Sequence, residues 1–412
     1  MPVSQTDNFI SILQAACGNG QNRIQEPDWD ELIRMARVQM LTPLFHVGAA
    51  RYPEFADCSV QQKTKLRMEA IAAVGQQFQR TQLFLQLYQA LLGAGLRPLV
   101  LKGILCRNLY GELADYRPSC DEDLYLPPDQ IEACRQELEK NGWHLSSHEA
   151  SMEIKEQLQE IAFDDANHQL HIELHPALFG AERPDQQRCT EYFRGVEQRA
   201  ATVTVEGVTL YTLSFTDHYI YLFLHLAKHF ANSGVGVRQI MDLMQFARAY
   251  GDRIDWTEVQ RAVQKLSSPG LYADVAEIGR RLGFAPKPMF RPVDPDRLLA
   301  DSMAGGVYGH DREGHGRGTV LTIAAQYPTR LQRIQRLLFP SPRQLAAGRP
   351  WLEKRPWLLP VAWAERASRL FVDGPQWGRV TGKSLHIASQ RVNLLRTYDL
   401  LPGRKPSPSR RG

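Results

Sequence analysis

Two aspartates, one residue apart, are the residues in this sequence best suited to chemistry. They are Asp121 and Asp123, the first and third residues of the stretch DEDLYL, which continues with Leu124, Tyr125 and Leu126. Alternate side chains of a β-strand point to the same face, so a strand here predicts two neighbouring carboxylates, with Glu122 facing the other way. Two carboxylates this close repel each other unless a cation lies between them. Oxygen ligands of this kind favour Mg²⁺, with Mn²⁺ as the alternative, and leave further positions for water and substrate phosphates.

The residues that precede the aspartates suit a substrate that carries phosphates. Lys102 and Gly103 follow the buried strand predicted at 99–101 and precede a helix predicted from Ile104 to Tyr110. Glycine lets a phosphate approach the backbone at the start of a helix, where N–H groups are unpaired. Lys102 adds positive charge, and Arg117 could bind a phosphate through two parallel hydrogen bonds. We therefore interpret all three residues as candidates for nucleotide binding.

A third acidic residue stands on a later predicted strand. The segment QLHIELH (169–175) alternates apolar and polar residues, which predicts a strand with one His-Glu-His face. It follows a turn at residues 166–168, and the pair of segments is predicted to form a hairpin. Glu173 is the best candidate for a third metal-binding carboxylate. His175 is either a partner of these carboxylates or a polar residue at a strand end.

These three features are what the transfer of a nucleotidyl group requires. Carboxylates hold Mg²⁺ against a triphosphate, a helix N-terminus receives phosphate oxygens, and cations offset the charge of the leaving pyrophosphate. The third acid could act as a general base or bind a second metal ion. The chemistry predicted from the residues is transfer from an NTP to a hydroxyl group.

The flanking sequence divides the chain into segments. Residues 1–92 are helical in pattern, 93–213 form an α+β unit, 214–290 are helical, 291–400 form a helical and loop extension, and 401–412 are a disordered basic tail. The predicted fold class is α+β, a small mixed sheet flanked by N-terminal and C-terminal helical segments.

Individual helices are predicted from apolar spacing of three or four residues. The clearest is a long helix over residues 60–92, which glycines end. Further helices are predicted at 321–339 and 362–371.

The bulk composition excludes several classes of protein. The net charge of +4 over 412 residues is small, so binding to nucleic acid is not expected. No apolar run reaches the roughly 18 residues that cross a bilayer, and we expect neither a membrane segment nor a signal peptide. The six cysteines form no CxxC pair, which argues against a zinc ribbon and favours a cytoplasmic location.

The motifs LVLKG, RPSCDEDL and HIELH together resemble the poorly characterised bacterial nucleotidyltransferase-like family of the polymerase-β-like superfamily. LSFTDHYIYLFLHLAKH and RQIMDL are similar to its C-terminal helical part, and the resemblance extends over residues 25–375. It implies Asp121 and Asp123 as metal ligands, Glu173 as the third acid and Lys102-Gly103 as the turn on the phosphate side. The wider superfamily usually has serine after this glycine.

Here Ile104 follows Gly103, so Lys102 must supply the contact to phosphate. The expected activity is Mg²⁺-dependent transfer of a nucleoside monophosphate from an NTP to an acceptor. That acceptor could be a small molecule, a peptide or a protein, because acceptor pockets have no readable sequence code.

Other interpretations remain open at this point. A nucleotide- or metal-binding module that acts through a protein partner would share the same residues. Glu153 and Lys155 have the E-x-K form of metal-dependent nucleases.

The helical segments carry further alternatives. His225 and His229 have a spacing that can bind zinc, although partly buried histidines bonded to carboxylates explain them as well. Arg238 either pairs with Asp242 one helical turn away or points into the cleft to hold a nucleotide phosphate.

Overall fold

The structure, a computed structural model, describes residues 4–20, 22–146, 160–180, 184–232, 234–305, 356–372 and 391–401. Within these ranges no helix is long and apolar enough to span a membrane. The helices are α1 Gln5–Ala16, α2 Trp29–Val38, α3 Thr42–Ala49, α4 Val60–Gly93, α5 Ile104–Asn108, α6 Pro128–Lys140, α7 Pro184–Tyr192, α8 Phe215–Asn232, α9 Val237–Tyr250, α10 Trp256–Leu266, α11 Pro269–Arg281, α12 Pro295–Gly305 and α13 Leu359–Val372.

The described residues form a mixed seven-stranded sheet with the strand order β3-β4-β5-β2-β1-β7-β6. The two pairs β2–β5 and β1–β7 are parallel, and the remaining neighbours are antiparallel. The predicted α+β class is therefore confirmed. The strands are β1 Leu99–Val100, β2 Asp121–Tyr125, β3 His144–Leu145, β4 Ile161–Asp164, β5 His171–His175, β6 Ala201–Val205 and β7 Val208–Thr212.

One face of the sheet is covered by α4 and α6. Phe84 and Leu91 of α4 and Leu138 of α6 share one apolar cluster with Leu124 of β2 and Ile172 of β5, and all five are buried. Each such side chain contributes about 1.5–3 kcal/mol when it leaves water. Because side chains alternate along a strand, this packing turns the odd-numbered residues of β2 and β5 to the opposite face.

The chain separates into two compact units. The first contains residues 1–226 and 237–295 and includes the whole sheet. The second contains residues 227–236 and 296–412. Within the second unit the Arg391 guanidinium bonds to Asp301 at 3.1 Å.

The predicted helices agree with the described ones in most places. Ser59 caps the long helix α4 through a capping box, which explains its start at Val60. The helix predicted from Ile104 is shorter than expected and ends at Asn108. The segment predicted at 362–371 lies within α13. The segment predicted at 321–339 lies outside the described residues.

A buried histidine fixes α8 to the end of β1. His218 Nε2 donates to the carbonyl of Leu101 at 2.7 Å, and its Nδ1 lies 2.9 Å from Thr212 Oγ1. Burial lowers the pKa of His218 to about 4, although the hydrogen bond to Leu101 opposes this shift. The neutral imidazole therefore holds Leu101, the residue between the end of β1 and Lys102.

This histidine should make stability depend on pH. Between pH 6.5 and 4 the unfolded chain binds a proton at His218 that the folded chain does not, so stability falls as the pH falls. The loss is expected to be on the order of 3 kcal/mol. Urea unfolding from pH 7 to 4, compared with His218→Gln, measures it, since glutamine can still donate to Leu101. Identical pH slopes for the two proteins would contradict the prediction.

Candidate metal and nucleotide site

The polar face of the sheet brings together an aspartate, a glutamate and a histidine. In the parallel β2–β5 pair, the Cα of Asp123 is in register with that of Glu173. His175 Nε2 lies 3.0 Å from Asp123 Oδ1 and 3.4 Å from Glu173 Oε2. One ligand atom from each of the three residues lies within 4.8 Å of the others. These three atoms are therefore close enough together for one metal ion to lie among them.

Charges within this group stabilise one another. Burial raises the pKa of the Asp123 carboxyl. The charge of Lys102 and the hydrogen bond from His175 lower it by more than burial raises it, so this pKa lies well below its usual value. Burial lowers the pKa of His175, but its hydrogen bonds to Asp123 and Glu173 outweigh burial and raise it to about 9. At neutral pH Asp123 is therefore ionised and His175 is protonated.

One oxygen of Asp123 has a further property that bears on metal binding. Asp123 Oδ2 is buried and accepts no hydrogen bond from the residues that the structure describes. A buried carboxylate oxygen without a partner costs free energy, which a neighbouring cation would recover. The Glu173 side chain is 23% exposed and can turn toward the same cation. The residues present thus fit a divalent cation held by oxygen ligands, with an imidazole beside it.

Lys102 lies beside this group at the end of β1. Its Nζ is 2.9 Å from Asp123 Oδ1 and 3.2 Å from His225 Nε2. Burial lowers the pKa of Lys102, but the charge of Asp123 outweighs it, and the pKa lies well above its usual value. Since a charged ammonium group only donates, His225 Nε2 accepts from it. His225, which the sequence offered as a zinc ligand, is thus a hydrogen-bond partner of Lys102.

Gly103 is required by its neighbour Glu122. Its φ of 54° lies in the region that favours glycine, and a Cβ there would lie 1.9 Å from Glu122 Oε2. Glu122 is fully buried on the core face, as the alternation predicts. Its carboxylate accepts the N–H of Ile104 at 2.7 Å and an N–H of Arg107 at 2.6 Å. The N–H of Ile104, at the start of α5, is therefore already bonded within the protein.

We expect Gly103→Ala to reduce the free energy of unfolding by about 3–4 kcal/mol, the sum of a strained φ and a clash with a held carboxylate. Gly95→Ala is the matched control. Its φ of 82° is also positive, but nothing lies within 4 Å of the added Cβ, so only about 1–2 kcal/mol should be lost. Chemical denaturation of both variants measures the difference. Equal losses would show that Glu122 does not set the requirement for glycine.

Arg117 and Arg238, predicted as nucleotide-binding residues, flank the loop before β2. The Arg117 guanidinium is buried and forms a two-point ion pair with Asp242 of α9, with its Nε 3.1 Å from Oδ1. Tyr110 donates to the same carboxylate at 3.0 Å. Arg238 donates to the carbonyl of Pro118 at 2.7 Å, and its buried Nε has no partner among the described residues. Asp242 therefore pairs with Arg117, and both arginines hold this loop.

Asp121 lies two residues from Asp123 on β2, on the same face of the strand, as predicted. It is half-buried, and its Cα is in register with His171 of β5. It is not part of the group of ligand atoms within 4.8 Å, although its charge is one of those that raise the pKa of Lys102. The third member of that group is His175. The alternation of residues along β5 places His175 on the same face as Glu173. That alternation was the sequence signal from which its place in the group could be predicted.

The family profile described as an uncharacterised nucleotidyltransferase matches residues 25–272. The chain belongs to this family. The predicted resemblance is confirmed, although the match ends at residue 272 within α11 and not at 375. No curated protein and no solved structure matches the chain.

The part of the chain that matches the nucleotidyltransferase family contains the whole candidate site, from Lys102 to His225. The family description names a transferase and implies an NTP as substrate. Glu153 and Lys155, on which the nuclease interpretation rests, also fall within the match but lie outside the described residues.

Proposed function

We propose that this protein is a metal-dependent nucleotidyltransferase that moves a nucleoside monophosphate from an NTP to a hydroxyl group of an acceptor. The observation that carries the proposal is the buried, unpartnered Oδ2 of an ionised Asp123 beside Glu173, within the matched region of the family. The acceptor is a small molecule, a peptide or a protein. Mg²⁺ is the proposed metal, and Mn²⁺ is expected to replace it.

In this proposal each residue of the group has a defined role. Asp123 and Glu173 hold the cation, and Asp121 adds negative charge that acts on Lys102. His175 fixes the orientation of the Asp123 carboxylate by donating to Oδ1. Lys102 has three N–H bonds, of which Asp123 and His225 accept two, so the third can bond to a phosphate oxygen. Gly103 keeps this turn tight against Glu122.

The transfer needs one bond to form and one to break. The acceptor oxygen bonds to the α-phosphorus, and the bond from that phosphorus to the oxygen bridging to the β-phosphate breaks. Pyrophosphate leaves with the electron pair, and the hydroxyl proton passes to the Glu173 carboxylate. The cation, when bound, supplies positive charge that stabilises the phosphate oxygens in the transition state. Arg117 and Arg238 contribute indirectly, because they position the loop that leads into β2.

Label transfer tests this function. The full chain is incubated with α-³²P-labelled NTPs, Mg²⁺ and a fractionated cell extract, and parallel reactions contain γ-³²P label. Label should reach an acceptor from the α position only, and Glu173→Gln should slow transfer by at least about 100-fold. Glu132→Gln, an exposed glutamate on α6, is the control and should transfer at the wild-type rate. Label from the γ position, or full transfer by Glu173→Gln, would overturn the proposal.

One observation favours a second candidate, a nucleotide-binding module without turnover. The Ile104 N–H, which could otherwise receive a phosphate oxygen, is bonded to Glu122. For such a module, binding of NTPs together with Mg²⁺ would depend on Asp123. No label would be transferred to any fraction of the extract.

A further inference from the structure

The two oxygens of Asp123 have unequal surroundings. Oδ1 is 2.9 Å from Lys102 Nζ and 3.0 Å from His175 Nε2, so two donors occupy it. Oδ2 is buried and accepts no hydrogen bond within the described part of the chain. Only one of the two carboxylate oxygens is therefore open to a metal ion.

This asymmetry limits how many ions the site can hold. In two-metal sites the ions lie about 3.5–4 Å apart and clamp the attacking and leaving oxygens from either side. A carboxylate that bridges such a pair gives one oxygen to each ion. At Asp123 the oxygen that would bind a second ion is occupied by an ammonium group and an imidazole.

Lys102 is held in that position from several sides. In addition to the contact with Asp123, its Nζ donates a hydrogen bond to His225 Nε2 at 3.2 Å. The side chain is only 21% exposed, and Asp121 and Glu173 both act on its charge. Displacing the ammonium would leave it in a largely buried place without its main counter-ion, which is costly.

We propose that this site binds a single divalent cation, on Asp123 Oδ2 and Glu173, and that the ammonium group of Lys102 on Asp123 Oδ1 takes the place of a second metal ion. The inference rests on the proposed function for the role of the site, but it concerns the number of ions. The protein thus carries one of the positive charges of its catalytic centre as a fixed side chain.

Counting bound Mn²⁺ tests this inference. The full chain is titrated with Mn²⁺ in the presence of the four α,β-methylene NTP analogues, which cannot transfer their nucleotidyl group. Electron paramagnetic resonance of free and bound Mn²⁺ measures ions per chain and detects coupling between neighbouring ions. Wild type should bind one ion per chain with an uncoupled spectrum. Lys102→Arg, which keeps the positive charge, should also bind one.

Lys102→Met removes the charge at similar length and frees one of the two occupied positions on Asp123 Oδ1, while His175 keeps the other. This variant should bind two ions per chain, with the broadened spectrum of a coupled pair. A coupled pair in wild type, or one ion in a folded Lys102→Met, would overturn the inference. If Lys102→Met does not fold, the number of Mn²⁺ ions bound per wild-type chain decides whether the inference holds.

These outcomes separate this inference from the proposed function. Two ions together with label transfer would leave the function standing and remove the single-ion centre. One ion without label transfer would leave the single-ion centre standing and overturn the proposed function. No bound Mn²⁺ would overturn both.

Discussion

Asp123→Asn is expected to weaken Mn²⁺ binding by at least about 100-fold, because even residues that only orient metal ligands typically change affinity by 10–100-fold. An amide keeps an acceptor for Lys102 and His175 but removes the negative charge. It also places a weaker ligand or an N–H donor where Asp123 Oδ2 is open. Isothermal titration calorimetry with Mn²⁺ measures the change, and circular dichroism verifies the fold.

Asp121→Asn is the matched control for this experiment. It makes the same chemical change two residues away on β2, at a half-buried position outside the group of ligand atoms. We expect its affinity for Mn²⁺ to fall by less than about tenfold, through loss of a nearby charge only. Equal losses in the two variants would show that Asp121 is a metal ligand as well, as the sequence predicts. Wild-type affinity in Asp123→Asn would remove the metal site from this position.

The second large effect is expected on stability. Arg107→Met should lower the free energy of unfolding by about 3–5 kcal/mol, because it leaves the carboxylate of Glu122 buried without its cation. Both side chains are almost fully buried, and the ion pair is 2.6 Å long. Burial raises the pKa of Glu122, while Arg107 lowers it. Without Arg107 this pKa rises further, so the loss should be smaller at pH 5 than at pH 8.

A double-mutant cycle with Glu122→Gln isolates the ion pair. Glutamine can still accept the Ile104 N–H, so the double variant should be more stable than Arg107→Met alone. Arg34→Met is the control, because the Arg34–Glu31 pair on α2 is exposed and should contribute less than about 1 kcal/mol. An Arg107→Met variant as stable as Arg34→Met would contradict the prediction, as would additive effects in the cycle.

Local patterns predicted much of this protein. Alternation along two short segments put Asp123 and Glu173 on polar strand faces and Glu122 on the opposite face, because side chains alternate whatever the strand's neighbours are. Helical spacing and the glycines that follow it predicted α4 nearly to the residue, since periodicity and helix ends depend only on nearby residues. The α+β class and the family resemblance followed from the same segments.

Contacts between residues far apart in sequence could not be predicted from local patterns. The contact between Arg117 and Asp242 joins residues 125 positions apart, and that between Lys102 and His225 joins residues 123 positions apart. No local pattern connects them. The sequence therefore indicated Arg117 as a phosphate ligand, whereas its guanidinium lies in a buried ion pair.

By itself the sequence determined which side chains share a face of each strand and where most of the helices lie. The tertiary structure decided which of those side chains meet. Placing β5 directly beside β2, in parallel register, pairs Glu173 with Asp123 and His171 with Asp121. A shift of two residues would keep every face unchanged and yet assemble a different group. Strand order and register arise from packing of the whole sheet against α4 and α6, and so they are not encoded in either segment alone.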